Sequence, residues 1–302
     1  MRRLIVTGDD FGFSRGVNQA IIEAHERGVL THASLMVNGD AAAEAAALAR
    51  SRPELSVGLH LVVVDGAATL SPSEIPRLAG ADGRFRGTPV SAGVRYQFSG
   101  AARRELAREI RAQLERFRET GLELSHVDGH HHMHLHPVVL ETLVALAREF
   151  AIPAIRLPSE ELGLALAINP GNIAGKALWS GVFGLLRRHG ERRLGNAGIA
   201  YSERVYGLLE TGRVTGPYLL DLIPRIRADR VEIYCHPAVA SPGEPSDETP
   251  GSGPAELSAL LCPRVREAIG RSGFVLSSSL RGGPCRPPNP LAGAEQAPAS
   301  HG

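Results

Sequence analysis

The sequence predicts an α/β protein, an irregular (β/α) TIM-like barrel of about seven parallel strands in one large domain. Short, almost uninterrupted apolar runs alternate with longer helical patterns along most of the 302 residues. Such alternation is typical of a parallel sheet that is covered on both faces. About seven strand–helix units favour a barrel over an open doubly wound sheet. No glycine-rich dinucleotide or phosphate-loop motif follows any run, which weakens the open-sheet alternative.

The individual elements follow from the periodicity of the apolar residues. Seven short apolar runs are predicted strands: 4–7, 33–37, 56–64, 122–127, 154–157, 231–235 and 274–277. Six segments with helical spacing are predicted helices: 16–28, 41–50, 101–120, 137–150, 219–228 and 255–271. Pro137 suits the first position of its helix, which makes 129–136 a connecting loop.

Two segments depart from the alternation. Residues 66–99 are rich in Gly, Pro and Ser, and we expect a long excursion over the barrel mouth, where substrate-shaping loops belong. Residues 281–302 have few apolar side chains to bury, so we expect a disordered C-terminal tail. The predicted barrel domain is therefore 1–280.

Composition limits the partners and the compartment. A net charge of +1 and a pI of about 7.9 leave no global field that would attract nucleic acid. Three widely spaced cysteines suit a reducing compartment. The first apolar run is too short for an export signal. No apolar run is long enough to span a bilayer. We expect a cytoplasmic protein. The segment 177–186, with Trp179 and Phe183, is either a packing helix or an amphipathic helix that touches a lipid surface, which leaves a peripheral location on the inner membrane face and transient membrane contact open.

The residues most informative about function are the histidines of 126–137. Six of the twelve histidines lie in this stretch, where a strand is predicted to run into a helix. Imidazole binds borderline metals and transfers protons near neutral pH. The cluster therefore predicts a metal-dependent active site at the carboxyl ends of the strands.

Two carboxylates, Asp9 and Asp10, follow the first strand directly. Adjacent strand residues point in opposite directions, so we expect a division of labour in which one carboxylate binds a metal and the other a water. Capping of the next helix is the alternative. His60, a polar residue inside an apolar run, is either a structural histidine or a metal ligand.

Hydrolysis needs three protein ligands and open positions for water. Asp10, His60 and one cluster histidine give that number, and His130 lies nearest the strand end. Asp128 is placed to hold a ligating imidazole by a hydrogen bond. His236, which closes the strand 231–235, suits a general acid, with a structural role as the alternative.

The remaining cluster histidines either shape a substrate cleft or pack. We assign substrate-binding or supporting roles to His126, His132 and His134, and leave His131 and His136 open. A glycoside hydrolase would need a separated carboxylate pair, a phosphoesterase or amidohydrolase usually gathers more ligands, and a metal-storage protein would carry a repetitive histidine tract. Each of these alternatives fits the pattern less well than a hydrolase with one metal ion per chain.

Four motifs together resemble the YdjC-like carbohydrate deacetylases. They are Thr-Gly-Asp-Asp-Phe-Gly, Val-Gly-Leu-His-Leu, His-Val-Asp-Gly-His-His-His-Met-His and Ile-Tyr-Cys-His-Pro, in that order over about residues 2–278. The resemblance implies an irregular (β/α) barrel that removes the acetyl group from an N-acetylated amino sugar. It implies Asp9 as catalytic base, His236 as acid, and three metal ligands, namely Asp10, His60 and His130.

Within that family the chain is most similar to deacetylases associated with hopanoid biosynthesis, at 58–66, 75–78 and 231–237. This implies an N-acetylglucosaminyl hopanoid, a lipid-linked sugar, as substrate. Asp-Gly-His-His-His at 128–132 instead resembles the chitooligosaccharide branch, so a small-molecule diacetylchitobiose-type substrate is the alternative. The ligand set suits Zn²⁺ or Mg²⁺, and also Mn²⁺, Co²⁺ or Ni²⁺. A homodimer is left open.

Overall fold

Seven parallel strands form one curled sheet in the computed structural model, which describes residues 2–239 and 252–279. The predicted tail 281–302 lies outside the described residues. Six strands follow the order β4-β3-β2-β1-β6-β5, and β7 pairs with the beginning of β1. The strands are β1 Arg2–Phe11, β2 His32–Leu35, β3 Ser56–Leu61, β4 Val127–Gly129, β5 Arg204–Tyr206, β6 Arg230–Cys235 and β7 Phe274–Leu276. The prediction of an α/β, TIM-like barrel is confirmed.

The segment 154–157 was predicted as a strand, and this is wrong. The segment nevertheless lies within the barrel wall. It lies in the gap between β4 and β5, where single bridges join Ile155 to β4 and Ala154 to Ala200. Prolines at 153 and 158 bracket the run, and proline cannot donate to a ladder. The segment therefore closes the barrel with isolated bridges. Residues 122–127 likewise contribute only Val127 to β4, and β5 was not predicted.

Ten helices cover the sheet in the described parts of the chain. They are α1 Arg15–Arg27, α2 Ala42–Arg50, α3 Pro89–Phe98, α4 Gly100–Glu119, α5 Pro137–Leu146, α6 Leu162–Ile168, α7 Ile173–Ala197, α8 Gly216–Leu222, α9 Gly253–Leu261 and α10 Pro263–Arg271. The predicted helix 255–271 is two helices because Pro263 starts a new one. The excursion 66–99 contains α3. None of the described helices is long and apolar enough to cross a membrane.

The strand register brings the predicted site residues to one end of the barrel. Gly8 of β1 pairs with Cys235 of β6, so Asp9 and His236 follow at the same level. His60 of β3 pairs with Asp128 of β4. Both faces of β1 are buried, so the polar groups at its end are the exception in an apolar interior and require partners.

Candidate metal centre

The end of β1 carries both carboxylates into the barrel. Asp10 has a φ of 63°, and the pairing of β1 with β2 shifts register between Gly8 and Phe11. This bulge breaks the alternation that we expected to send the two side chains to opposite faces. Asp9 and Asp10 are both buried, yet they contact different groups. A left-handed residue other than glycine costs free energy and points to function.

Three donor atoms converge on one point at the barrel end. Asp10 Oδ1 lies 3.2 Å from His60 Nε2 and 3.3 Å from His130 Nδ1. All three side chains are buried. Asp10 Oδ1 has no hydrogen-bond partner among the described residues, and a buried carboxylate oxygen without a partner is costly. Donors about 3.3 Å apart are also what a cation about 2.1 Å from each would require.

A carboxylate and two imidazoles therefore fit a single divalent cation. Asp10, His60 and His130 are each able to offer one donor within 4.8 Å of the others. Asp9, His60 and Asp128 form a second grouping of that size, but Arg156 already holds Asp9 and Asp128. The structure thus brings together the three residues that the sequence predicts as ligands.

Asp128 fixes the orientation of His60. His60 Nδ1 donates to Asp128 Oδ1 at 2.8 Å, which turns Nε2 toward Asp10. Such a carboxylate partner sets the tautomer of a ligating imidazole. Burial lowers the pKa of His60, but Asp128 and Asp10 outweigh it and hold that pKa well above its usual value. Cation binding requires neutral His60 and is therefore expected to release a proton and to strengthen as pH rises.

The buried Arg156 organises the carboxylates around the centre. Its guanidinium donates to Asp9 Oδ2 at 2.6 Å, to Asp9 Oδ1 at 2.9 Å and to Glu232 Oε1 at 2.8 Å. It also lies 2.7 Å from Asp128 Oδ2. Burial lowers the pKa of Arg156, but these three carboxylates leave it well above the usual value. The bidentate ion pair fixes the plane of the Asp9 carboxylate.

Ser34 and His126 extend the hydrogen-bond network around Asp128. The Ser34 hydroxyl donates to Asp128 Oδ2 at 2.7 Å, and His126 Nε2 lies 3.1 Å from the same hydroxyl. Nδ1 of His126 lies 2.8 Å from Ser125 Oγ. The imidazole crosses β3 at Gly58, where an added Cβ would lie 2.4 Å from ring atoms of His126. His126 therefore holds the network rather than reaching the mouth.

Replacing Gly58 with alanine is expected to destabilise the protein by about 1–3 kcal/mol, because the methyl group overpacks against His126. The displaced ring would also lose its contact with Ser34. Thermal unfolding measures the effect. Gly184→Ala is the matched control, since no atom lies within 4 Å of its added Cβ in α7, and it should be neutral or stabilising by up to about 1 kcal/mol. Equal stability of both variants would contradict the packing argument.

The histidine segment His130–Leu135 is strained. His131 and His132 have φ values of 51° and 54°, uncommon for residues other than glycine. His132 Nε2 lies 2.9 Å from the Tyr234 hydroxyl, whereas its buried Nδ1 has no hydrogen-bond partner among the described residues. Burial, together with His134 and Arg156, lowers the pKa of His132 well below its usual value.

His134 faces away from the mouth. It is fully buried, and its Nε2 donates to the Arg156 carbonyl at 3.0 Å. Burial lowers the pKa of His134 to about 4, so the ring is neutral at pH 7. This contact ties the histidine segment to the barrel-closing segment that carries Arg156. A substrate-binding role for His134 remains a prediction without a contact that favours it.

His236 follows β6 beside the end of β1. Its backbone N–H donates to Glu256 Oε2 at 2.6 Å, and its ring packs edge-on against Tyr234 at 5.8 Å. The ring is partly exposed, as an acid that meets substrate would be. Its assignment as general acid stays a prediction.

Two helices beside the histidine segment expose apolar side chains. In the described chain, eight of the nine exposed large apolar residues lie on α3 and α7: Val90, Val94, Phe98, Ile173, Leu178, Trp179, Val182 and Leu185. Phe183 of α7 packs edge-on against His132 at 5.5 Å, and Tyr96 of α3 packs against His136 at 6.0 Å. These exposed faces, which we call the apolar rim, thus flank the centre.

Sequence reasoning missed Arg156, Glu232, Ser34 and Tyr234. A signal for the first two was present, because a charged residue interrupts each of the apolar runs 154–157 and 231–235. A charge in such a run requires a buried partner of opposite sign. Ser34 and Tyr234 carry no such signal, since both types are ordinary in strands.

Comparisons with known proteins identify relatives along most of the chain. The family model described as YdjC-like protein matches residues 3–271. The chain is 45% identical over 156 residues to a carbohydrate deacetylase of Brevibacillus brevis, covering 52% of this chain and 59% of that protein. It is 28% identical to a chitooligosaccharide deacetylase of Serratia marcescens, covering 91% of this chain and 97% of that protein.

A solved structure supports the fold alone. A protein from Enterococcus faecalis V583, named for cellobiose-phosphate cleavage, superposes with a TM-score of 0.70 at 24% identity. The match covers 92% of this chain and 97% of that one. The irregular barrel is therefore shared over nearly the whole of both chains.

Proposed function

We propose, from the premise that this chain belongs to the YdjC-like protein family, that it is a metal-dependent carbohydrate deacetylase. The reaction is hydrolysis of the N-acetyl group of an amino sugar, with release of acetate. The chain aligns with 59% of the length of the Brevibacillus relative, so the activity is inferred from the site as well as from the name of that relative. The proposed ligands and reacting residues lie at one end of the barrel, on β1, on β3 and directly after β4 and β6.

One observation carries the proposal: the partnerless Asp10 Oδ1 between two imidazole nitrogens. This buried oxygen has no hydrogen-bond partner among the described residues, and the ring nitrogens His60 Nε2 and His130 Nδ1 lie 3.2 and 3.3 Å from it. Burial raises the pKa of Asp10, but His130 and His60 outweigh it and hold that pKa well below its usual value. An ionised carboxylate oxygen beside two imidazole nitrogens is suited to binding a divalent cation.

The chain's own residues supply proton transfer and orientation. A cation at the centre would supply Lewis acidity, polarising the amide carbonyl and lowering the pKa of water. Asp9, held by Arg156, would accept the proton of the attacking water. His236 would donate a proton to the departing amine. His132 would contact the substrate as a neutral ring, because burial holds its pKa well below the usual value.

Acetate release tests the proposal. We expect the metal-loaded protein to release one acetate per N-acetyl group from N-acetylated sugars, and chelation to abolish the release. Asp9→Asn should keep its metal and lose roughly 10²–10⁴-fold in turnover, as removal of a general base usually does. The proposal fails if metal-loaded protein releases no acetate from any N-acetylated sugar, or if chelation leaves turnover unchanged.

For the substrate we propose a lipid-linked N-acetylated sugar of the N-acetylglucosaminyl hopanoid type. The apolar rim supports this, because exposed apolar residues concentrated beside a site suit an apolar aglycone or transient contact with a membrane surface. The side chains most exposed on the rim are Phe98 at 82% and Val90 at 75%. A chitooligosaccharide is the second candidate, supported by the Serratia relative that aligns over 97% of its length.

Acetate release from different compounds distinguishes the two candidate substrates. Acetate release should be compared for N-acetylglucosaminyl hopanoid in vesicles, diacetylchitobiose and free N-acetylglucosamine. Phe98→Ser with Leu185→Ser should lower kcat/KM for the lipid-linked sugar and leave that for diacetylchitobiose unchanged. A preference for diacetylchitobiose that the double variant does not alter would assign the chitooligosaccharide instead.

A further inference from the structure

We propose that Asp65 and His131 form a second cation site at the barrel mouth, and that Zn²⁺ bound there inhibits hydrolysis at the first site. The inhibitory part rests on the proposed function, whereas the binding part does not. Asp65 follows the buried residues Val62, Val63 and Val64 after β3, and His131 directly follows the predicted ligand His130. The second site is therefore built from the same loops as the first.

The donor geometry is that of a cation site. His131 Nε2 lies 3.3 Å from Asp65 Oδ2, the separation expected for two donors about 2.1 Å from one ion. His130 offers a third donor within 4.8 Å of both. In the absence of a cation, His131 Nε2–H donates to the carboxylate. Zn²⁺ would take the place of that proton, and two imidazoles with a carboxylate are a set that it favours.

Backbone strain points to the same pair of residues. Asp65 and His131 have φ values of 49° and 51°, in the left-handed region that costs roughly 1–2 kcal/mol for a residue with a side chain. Strain of this kind persists where function requires it. The imidazole of His131 also packs against that of His130 with ring centroids 4.5 Å apart. Both loops are thus held in conformations that bring the donors together.

Exposure distinguishes the two sites. The side chain of Asp65 is 67% exposed and that of His131 29%, against 7% for Asp10 and 3% for His60. A cation can therefore reach the outer pair directly from water, and the outer pair leaves coordination positions open. A more exposed site with fewer fixed donors binds more weakly. It would fill only after the inner site is occupied.

Inhibition follows from the shared histidine. His130 is near enough to serve either set of donors, so a cation on Asp65 and His131 competes for the inner ligand. The second cation would also stand at the mouth, where the substrate must enter. Raising free Zn²⁺ is therefore expected to activate the metal-free enzyme and then to inhibit it.

The experiment titrates Zn²⁺ into protein that already holds one ion per chain. Bound metal is measured by equilibrium dialysis, and acetate release is followed in parallel. We expect a second, weaker binding event that coincides with loss of activity. Asp65→Asn and His131→Asn should each raise the Zn²⁺ concentration for second binding by about 10- to 100-fold. Asparagine is chosen because it tolerates a left-handed φ.

Asp82→Asn is the matched control, an exposed aspartate within the excursion 66–99, and should leave both events unchanged. If both variants bind the second ion as tightly as the parent, the proposed site is wrong. If the second ion binds without loss of acetate release, the site stands and the proposed inhibition is wrong. If no substrate is hydrolysed at all, dialysis alone still decides whether Asp65 and His131 bind Zn²⁺, so the two proposals fail separately.

Discussion

Replacing Asp10 with asparagine is expected to remove the metal and to lower turnover by about 10³-fold or more, because a Lewis acid contributes several kcal/mol to hydrolysis. The amide keeps the shape of the side chain but loses the charge that holds a cation between two neutral imidazoles. Asparagine also tolerates the φ of 63° at this position. The fold should therefore survive, and the loss can be assigned to the ligand.

Metal content and acetate release measure this outcome together. Metal analysis of dialysed protein should fall from about one ion per chain toward none, and circular dichroism should be unchanged. Asp82→Asn, at an exposed position, controls for loss of one negative charge. Parent-like metal content with parent-like turnover in Asp10→Asn would remove Asp10 from the centre, and the proposed hydrolysis would lose its main support.

Replacing Arg156 with methionine is expected to destabilise the protein by about 3–5 kcal/mol, the usual result of removing one partner of a buried charge network. The variant would leave three buried carboxylates without the guanidinium that they share: Asp9, Asp128 and Glu232. Methionine fills much of the volume, so packing loss is a minor part. Denaturant unfolding of the metal-free proteins measures the difference.

The pH dependence of that difference identifies its cause. Burial raises the pKa of Asp128, but Arg156 and His60 outweigh it and hold that pKa well below its usual value. The stability that this provides is present above the unfolded pKa of about 4 and is lost as pH falls through the folded value. The gap between parent and Arg156→Met should therefore be full at pH 7 and shrink as the pH is lowered below about 4.

An exposed ion pair provides the comparison. Arg111 forms an ion pair with Glu149 on the surface, so Arg111→Met should change stability little at either pH. Arg156→Lys keeps a charge but loses the bidentate contact with Asp9 and should be intermediate in stability and low in turnover. If Arg156→Met unfolds like Arg111→Met at pH 7, the charge network does not hold the barrel end together.

The sequence determined the fold class and the candidate ligands. Apolar runs at strand spacing are a local property, and they predicted most of the strands correctly because burial on both faces requires an uninterrupted apolar run. Asp10, His60 and His130 were predictable because His60 interrupts such a run and the other two follow one closely. Burying a polar residue there costs free energy unless it has a partner, so such a residue can be recognised from the sequence.

Only the tertiary structure decided how those residues meet. The bulge that turns both Asp9 and Asp10 inward depends on pairing with β2. The contacts of Arg156 join β1, β4 and β6, which are distant in sequence. The barrel closes through single bridges of 154–157 rather than through a strand, and β5 is only three residues long. Local periodicity cannot report such contacts, because they depend on side chains that the chain brings together only after the sheet has curled.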